Sequence, residues 1–271
     1  MIDRYKSLFK QLIPFKKGCF IPFVVLGDPS ENMSLKIIDI LIEHGADGLE
    51  LGIPFSDPLA DGKIVQKANL RAFHSGITVH KCFEILKIIR KKNEIIPIGL
   101  LLYANLIFKF GINKFYLECF KIGIDSVLIA DLPIEESLDF RKCAYNNNIS
   151  TVFICPPDAK KNIIEKISYY SSGYIYLLSR PGVTGINKRI SLPSKKLINQ
   201  FKKLTITPLI QGFGISNPIQ IQRIVQSGIS GVICGSVIIK LIENYFNNEK
   251  KLLKEIKKLS QSFKKATIIT Q

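Results

Sequence analysis

The sequence predicts an α/β protein of the (β/α)8 TIM barrel class, because short apolar runs alternate along it with segments of helical spacing. Eight such runs occur in about 250 residues, which is the usual length of this barrel. Each run is almost continuously apolar, as strands of a parallel sheet are when both of their faces are buried. A strand followed by a helix, repeated eight times, is the sequence pattern of a (β/α)8 barrel.

The predicted elements follow one another in a regular order. The strands are residues 20–26, 48–53, 98–102, 126–130, 151–154, 174–178, 208–210 and 231–234. Between them, segments such as 31–44 and 81–90 place apolar side chains at helical spacing. Asn217 and Pro218 form an N-cap and a first-turn proline before another apolar stripe. Additional helices fit residues 2–13, before the first strand, and residues 249–265, after the last one.

The chain shows neither a composition break nor a low-complexity linker, so we expect one (β/α)8 barrel domain over residues 1–271. A doubly wound open sheet is the alternative fold. It would be favoured by a complete dinucleotide fingerprint after the first strand. The first strand is instead followed by Gly27-Asp28-Pro29, and this favours the barrel.

The chain carries a formal net charge of +16 at pH 7. A basic excess can indicate a nucleic-acid, anionic-membrane or anionic-substrate partner. Only seven of the 38 basic residues are Arg, although specific DNA contacts favour Arg, and no basic stripe is interleaved with stacking aromatic residues. We therefore expect no nucleic-acid or membrane partner and interpret the excess, part of which lies in residues 1–17 and 249–265, as a lysine-rich surface. A basic nucleic-acid-binding protein is the alternative.

The sequence indicates a cytoplasmic protein with reduced thiols. No segment approaches the roughly 18 apolar residues of a membrane span, and the N-terminal residues lack the features of a signal peptide. The six Cys follow no metal-ligand spacing, so we expect buried free thiols and no metal site.

Glu50 is the most informative side chain, because it lies inside an apolar strand between Leu49 and Leu51. Burying an unpaired carboxylate is costly, so we expect Glu50 to point inward at the barrel mouth, where active sites of this fold lie. Desolvation there would raise its pKa and suit a general acid or base near neutrality. The alternative is a structural Glu paired with Lys or Arg. Asp57 and Asp61 follow on the next loop, and their spacing alone indicates only turn formers or caps, as it does for Asp125, Asp131 and Asp158.

The last three strand ends are rich in glycine and predict a phosphate site. They carry residues 182–185, then Gly212 and Gly214, then Gly235 and Ser236. Glycine lets the backbone approach an anion, and barrels often bind phosphate after strands seven and eight. The segment 212–217 lacks the third glycine of a dinucleotide motif, so we expect no dinucleotide.

Residues 49–62, LELGIPFSDPLADG, resemble the signature of the tryptophan synthase alpha subunit family. The family pattern is also similar at residues 22–23 with 27–29, 103–105, 131–133 with 135–136, 155–157, 174–180 and the glycine-rich junctions. The likeness runs from about residue 2 to residue 266. The resemblance implies a lyase that cleaves indole-3-glycerol phosphate to indole and glyceraldehyde 3-phosphate by a retro-aldol step. It implies that Glu50 is the acid/base and that Asp61 accepts a hydrogen bond from the indole N–H. The implied walls of the indole pocket are Phe23, Leu101, Tyr176 and Phe213, with Thr184 as a substrate-binding residue on the mobile loop after the sixth strand. The implied phosphate cradle consists of Gly185, Gly214, Gly235 and Ser236.

The family assembles with a beta subunit as an α2β2 heterotetramer that passes indole internally. The resemblance therefore implies a beta-subunit contact through the loop with Pro54 and Asp57, and no cofactor in this chain, since the pyridoxal phosphate belongs to the partner. Three positions depart from the family pattern: Val25, Lys63 and Pro181 stand where Thr, Pro and Ala are usual. They put loop closure and partner signalling in question rather than the chemistry. A barrel enzyme acting on a different indole or sugar phosphate is a further alternative.

Overall fold

A single sheet of nine parallel strands forms the centre of the molecule. The computed structural model describes residues 3–15, 17–178 and 192–268. The sheet order is β5-β4-β3-β2-β1-β9-β8-β7-β6. Its strands are β1 (Cys19–Val25), β2 (Leu49–Gly52), β3 (Ile98–Leu102), β4 (Ser126–Ile129), β5 (Ser150–Val152), β6 (Ile154–Cys155), β7 (Ile175–Leu178), β8 (Leu209–Gly212) and β9 (Gly231–Cys234).

The sheet curls into a nearly closed barrel, and the predicted fifth strand is broken in two. β5 pairs with β4, whereas β6 pairs with β7, and only Phe153 separates β5 from β6. The Phe153 carbonyl accepts a hydrogen bond of 3.1 Å from the Tyr176 N–H, so the break still bonds to the neighbouring strand. The prediction of one continuous strand over residues 151–154 is therefore wrong in detail, while the predicted eight-fold barrel architecture is confirmed.

Helices cover the outside of the barrel and also precede its first strand and follow its last. They are α1 (Arg4–Leu12), α2 (Glu31–Glu43), α3 (Lys63–His74), α4 (Val79–Lys92), α5 (Ala104–Phe110), α6 (Ile112–Ile122), α7 (Leu138–Asn146), α8 (Lys161–Tyr170), α9 (Lys195–Leu204), α10 (Pro218–Gln226), α11 (Ser236–Tyr245) and α12 (Glu249–Ala266). α1 and α12 are the two predicted additional helices, and each matches its predicted range to within two residues.

Side-chain caps explain where several helices begin. Ser30 and Thr78 accept hydrogen bonds from backbone N–H groups in the first turns of α2 and α4. Asn217 and Gln220 form a reciprocal capping box at α10, with Pro218 in the first turn. These caps satisfy N–H groups that have no partner inside the helix, typically contributing about 1 kcal/mol each. The predicted start of α10 at Asn217-Pro218 is confirmed.

Both faces of the strands are buried, as the apolar runs predict. In β1 all seven residues are buried. Phe20 points outward and packs on Phe263 of α12, with ring centroids 5.8 Å apart, whereas Phe23 lines the barrel mouth. Fully burying a side chain such as Phe or Ile contributes about 1.5–3 kcal/mol, so this double-sided core is the main source of stability. All six cysteines are buried free thiols, as predicted.

An ion-pair cluster ties several elements together at the amino end of the barrel. The Asp125 carboxylate lies 2.9 Å from Arg4 Nη1 and 2.7 Å from Arg90 Nη2, and it accepts a 2.8 Å hydrogen bond from the Ile98 N–H. Asp125 therefore joins α1, α4 and β3, and the prediction of a simple cap or turn role for it is wrong. Asp131 does have the predicted cap role, because its Oδ1 accepts the Ala104 N–H at the start of α5.

Candidate active site

A pocket opens at the carboxyl ends of the strands, where this fold carries its active sites. The structure brings nine of the predicted site residues together there: Phe23, Glu50, Asp61, Leu101, Tyr176, Phe213, Gly214, Gly235 and Ser236. Three further wall residues, Val65, Ile215 and Ile233, were not predicted, because nothing distinguishes them from core residues in the sequence. Thr184 and Gly185 were also predicted here, but they lie outside the described residues.

Glu50 extends from β2 into the pocket and is only 1% exposed. Burial raises its pKa to about 8, and a hydrogen bond from Tyr174 lowers it in part. The Tyr174 hydroxyl donates this bond to Glu50 Oε1 over 2.9 Å. Within residues 3–15, 17–178 and 192–268, Glu50 forms no ion pair with Lys or Arg, which argues against the alternative of a paired structural Glu.

Tyr174 is a site residue that sequence reasoning missed. It is 1% exposed and its ring packs edge-on against Tyr5, with centroids 5.4 Å apart. Tyr5 in turn shares a 2.8 Å hydrogen bond with the Ser126 hydroxyl. Tyr174 stands at the start of an apolar run, where an aromatic side chain indicates only core packing, so the sequence held no signal for its contact with Glu50.

Asp61 is the second carboxylate of the pocket and lies on the loop between β2 and α3. Hydrogen bonds from neighbouring side chains fix its position. Burial raises its pKa to about 6, and a hydrogen bond from the Tyr103 hydroxyl lowers it in part. Tyr103 Oη also accepts the Ala60 N–H over 3.1 Å, and Gln66 Nε2 donates to the Asp61 carbonyl over 2.7 Å. Neither Tyr103 nor Gln66 was predicted as a site residue, because both contacts depend on how the loop folds back.

Two of the three glycine-rich junctions, those with Gly214 and with Gly235 and Ser236, also line the pocket. Gly214 has φ +74°, a left-handed conformation that favours glycine, and Phe213 before it has φ +73°. Gly235 and Ser236 lie at the N-terminus of α11, where Gly235 is the N-cap and Ser236 the first helical residue. The free N–H groups and the dipole of such a terminus favour an anion, so this wall offers a place for a phosphate.

The loop between β2 and α3 has a buried start and an exposed middle. Pro54 is buried and Phe55 stacks on Tyr103 with ring centroids 5.0 Å apart, whereas Asp57 and Leu59 are exposed. The two predicted partner-contact residues thus differ in accessibility, since Asp57 faces outward and Pro54 does not. Val25 is buried and does not line the pocket, and Lys63 is the exposed first residue of α3.

Comparison with known proteins agrees with this geometry. The model of the family "Tryptophan synthase alpha chain" matches residues 9–268. The chain belongs to the tryptophan synthase alpha chain family. The Buchnera aphidicola (subsp. Melaphis rhois) tryptophan synthase alpha chain is 73% identical over 270 residues, which cover 100% of both chains.

Solved structures of tryptophan synthase have the same fold. Tryptophan synthase subunit alpha from Legionella pneumophila superposes with a TM-score of 0.88 at 27% identity, over 98% of this chain and 99% of that one. A chain of the tryptophan synthase α2β2 complex from Pyrococcus furiosus gives a TM-score of 0.80 at 30% identity, over 92% and 98% of the two chains. In the part of this alpha chain that the structure describes, no His, Cys, Asp and Glu side chains cluster as a metal site would require, and no helix is long and apolar enough to cross a bilayer.

Proposed function

We propose that Glu50 and Asp61 perform the retro-aldol cleavage of indole-3-glycerol phosphate to indole and glyceraldehyde 3-phosphate, the lyase reaction of the tryptophan synthase alpha chain in tryptophan biosynthesis. The observation that carries the proposal is the buried Glu50 carboxyl group. It lies in one pocket with a second buried carboxylate and a helix N-terminus, and its pKa is raised to about 8. These three features match a proton donor, a stabiliser of positive charge and an anchor for phosphate.

Glu50 supplies the proton that starts the cleavage. With a pKa of about 8 it is mainly protonated at neutral pH, so it can donate its proton to the indole ring carbon that bears the glycerol side chain. The Glu50 carboxylate then accepts the proton of the adjacent side-chain hydroxyl while the carbon–carbon bond breaks. The electrons of that bond return to the ring, the hydroxyl carbon becomes the aldehyde, and Glu50 ends protonated again.

Asp61 stabilises the positive charge that ring protonation creates. With a pKa of about 6 it is mainly ionised at neutral pH, and its carboxylate can accept a hydrogen bond from the indole N–H. A fixed anion placed where positive charge develops lowers the energy of the transition state more than that of the bound substrate. The two carboxylates therefore differ in protonation state at the same pH, as an acid and a charge stabiliser must.

The remaining pocket residues hold the two ends of the substrate. We assign the apolar walls around Phe23, Leu101, Tyr176 and Phe213 to the indole ring, because such walls suit an apolar bicycle. We assign the phosphate to Gly214, Gly235 and Ser236, at the start of α11. Thr184 and Gly185 keep their predicted substrate contacts as part of this proposal.

The partner of this alpha chain is the tryptophan synthase beta subunit, in an α2β2 heterotetramer. The Pyrococcus furiosus relative comes from such a complex. We place the beta-subunit contact on the loop with Pro54 and Asp57, whose exposed middle offers Asp57 and Leu59 to a partner. Pyridoxal phosphate is proposed to reside in the beta subunit, with no cofactor in this chain, and a cytoplasmic location stays a prediction.

Indole release from indole-3-glycerol phosphate tests the proposal. Purified protein should release indole, and release should be measured with and without a tryptophan synthase beta subunit. Glu50→Gln keeps the shape of the side chain but removes its acid, so turnover should fall by at least ~10² to 10⁴-fold while circular dichroism stays unchanged. Near-normal turnover of the folded Glu50→Gln protein would overturn the role of Glu50, and no indole from the unmodified chain in either setting would overturn the function.

A further inference from the structure

The last residue of β2, Gly52, lies on the same face of the strand as Glu50. Side chains two residues apart on a strand point to the same side, so a side chain at position 52 would point into the barrel mouth. Gly52 pairs in register with Leu101 of β3, which lines the pocket. Gly52 is buried, and its missing side chain leaves a gap in the ring of residues that face inward.

The ring of Phe23 fills this gap. A Cβ atom at Gly52 would lie 2.9 Å from Phe23 Cζ and 3.0 Å from its Cε2, closer than such atoms pack. On the opposite side, a Cβ atom at Gly235 would lie 2.6 Å from Phe23 Cδ1. The Phe23 ring therefore lies between Gly52, at the end of β2, and Gly235, which directly follows β9, and it also lines the pocket. β2 and β9 are the two strands next to β1.

We propose that Gly52 is a specificity-determining position, which keeps the Phe23 ring away from Glu50 so that the indole ring has room beside the acid. This inference rests on the proposed function. A methyl group at position 52 would displace the Phe23 ring, and contact with Gly235 on the other side favours a movement into the pocket. The cavity there is about 40 Å³, so a small displacement of one wall removes much of it.

The backbone at Gly52 does not itself require glycine. Gly52 does not have a positive φ, unlike Gly27 and Gly214. An alanine at position 52 therefore fits the strand, and its effect must come from the contact with Phe23. Gly235 is less suitable for a test, because the proposed phosphate cradle includes it.

The inference is tested with Gly52→Ala, assayed for indole release and for inhibition by each product. We expect KM for indole-3-glycerol phosphate and the inhibition constant of indole to rise ~10-fold or more, the usual effect of one methyl group on an apolar pocket. The inhibition constant of glyceraldehyde 3-phosphate should change less than ~2-fold, because its phosphate contacts lie elsewhere. A merely structural defect would weaken the binding of both products by the same factor, and that result would overturn the inference.

The second measurement asks whether shortening Phe23 removes the effect of Gly52→Ala on KM. In a Phe23→Leu background the shorter side chain no longer reaches position 52, so adding Gly52→Ala should change KM less than ~3-fold, which shows strong coupling of the two sites. Equal effects of Gly52→Ala in both backgrounds would overturn the inference.

Gly48→Ala is the matched control, because its Cβ atom would lie 3.3 Å from Pro97 Cγ, outside the pocket, and it should leave KM unchanged. Activity of the unmodified chain together with an unaffected Gly52→Ala variant would refute this inference alone, whereas an inactive unmodified chain would refute the proposed function.

Discussion

At the scale of single residues, burial raises the pKa of two carboxyl groups to different values. Both groups are desolvated, which disfavours the ionised form, yet the pKa is about 8 for Glu50 and about 6 for Asp61. Asp61 is less deeply buried than Glu50, at 7% against 1% exposure. Near pH 7 the pair therefore holds one proton and one negative charge, which is the combination the proposed cleavage needs.

The pH dependence of kcat/KM should report these two groups. We expect activity to fall below about pH 6, because Asp61 then gains a proton and loses its charge, and to fall above about pH 8, because Glu50 then loses the proton it must donate. Steady-state assays between pH 5 and 9 at constant ionic strength would measure both limbs. The acid limb should vanish in Asp61→Asn, which should turn over slowly while still binding substrate. A profile with one limb near pH 4, the value of an ordinary carboxyl group, would contradict the assignment.

Sequence reasoning could find Glu50 but not its hydrogen-bond partner. A carboxylate between two leucines in an apolar run conflicts with its surroundings, and such a conflict indicates a functional site. Tyr174 fits its run without conflict, so its role appears only where β2 and the start of β7 meet across the barrel. Gly52 is similar, since its importance lies in the distance to Phe23 rather than in any local pattern.

At the scale of elements, the side chain of Tyr103, which directly follows β3, holds the loop between β2 and α3. Tyr103 accepts a hydrogen bond from the Ala60 N–H, donates one to the Asp61 carboxylate and stacks on Phe55. A single phenol thus contacts the loop near its start, at Phe55, and at its end, at Ala60 and Asp61. Its hydroxyl also lowers the pKa of Asp61, so it acts on charge as well as on position.

Tyr103→Phe should therefore alter the pH profile and not only the rate. Without the hydroxyl, the pKa of Asp61 should rise further, and the acid limb of kcat/KM should move above pH 6. We expect kcat to fall by ~10-fold or more, because a hydrogen bond to a charged group is typically worth about 1.5–3 kcal/mol. The same pH series on the variant measures both effects. An unchanged acid limb would show that Tyr103 does not hold the Asp61 carboxylate.

Element boundaries were predictable where local chemistry sets them. The start of α10 follows from Asn217 and Pro218, whose capping roles need only neighbouring residues. The break at Phe153 could not be predicted, because residues 151–154 form one apolar run and the break arises from pairing with different neighbours, β4 on one side and β7 on the other.

At the scale of the whole molecule, a buried ion-pair cluster and the candidate active site lie at opposite ends of the barrel. The Asp125 cluster with Arg4 and Arg90 stands at the amino end, whereas the pocket opens at the carboxyl end. The three side chains are 8–14% exposed, so the charges are largely removed from water. Removing one partner from such a cluster leaves the others unpaired in a low-dielectric setting.

Asp125→Ala should therefore destabilise the protein without changing its chemistry. We expect a loss of about 3–5 kcal/mol in the free energy of unfolding, measured by urea denaturation. The kcat/KM of the folded variant, assayed at low temperature, should equal that of the unmodified chain. Glu165→Ala is the control, because the Lys161–Glu165 pair is exposed and such pairs contribute less than about 1 kcal/mol. Equal losses for both variants would contradict this account of the cluster.

The pairing of β1 with β9 joins the first and the last strand of the chain, so the barrel can close only after β9 has been synthesised. Cys19 pairs with Gly231, so the ring of strands closes between the two ends of the chain. Pairings between distant residues form late in folding, and a chain emerging from the ribosome presents its N-terminal strands first. Glu50 and Asp61 are then already synthesised, but Gly235 and Ser236, to which we assign the phosphate, are not. If these residues have the proposed roles, a nascent chain carries the acid well before it carries the phosphate site, and substrate can be bound and cleaved only when nearly the whole polypeptide has been made.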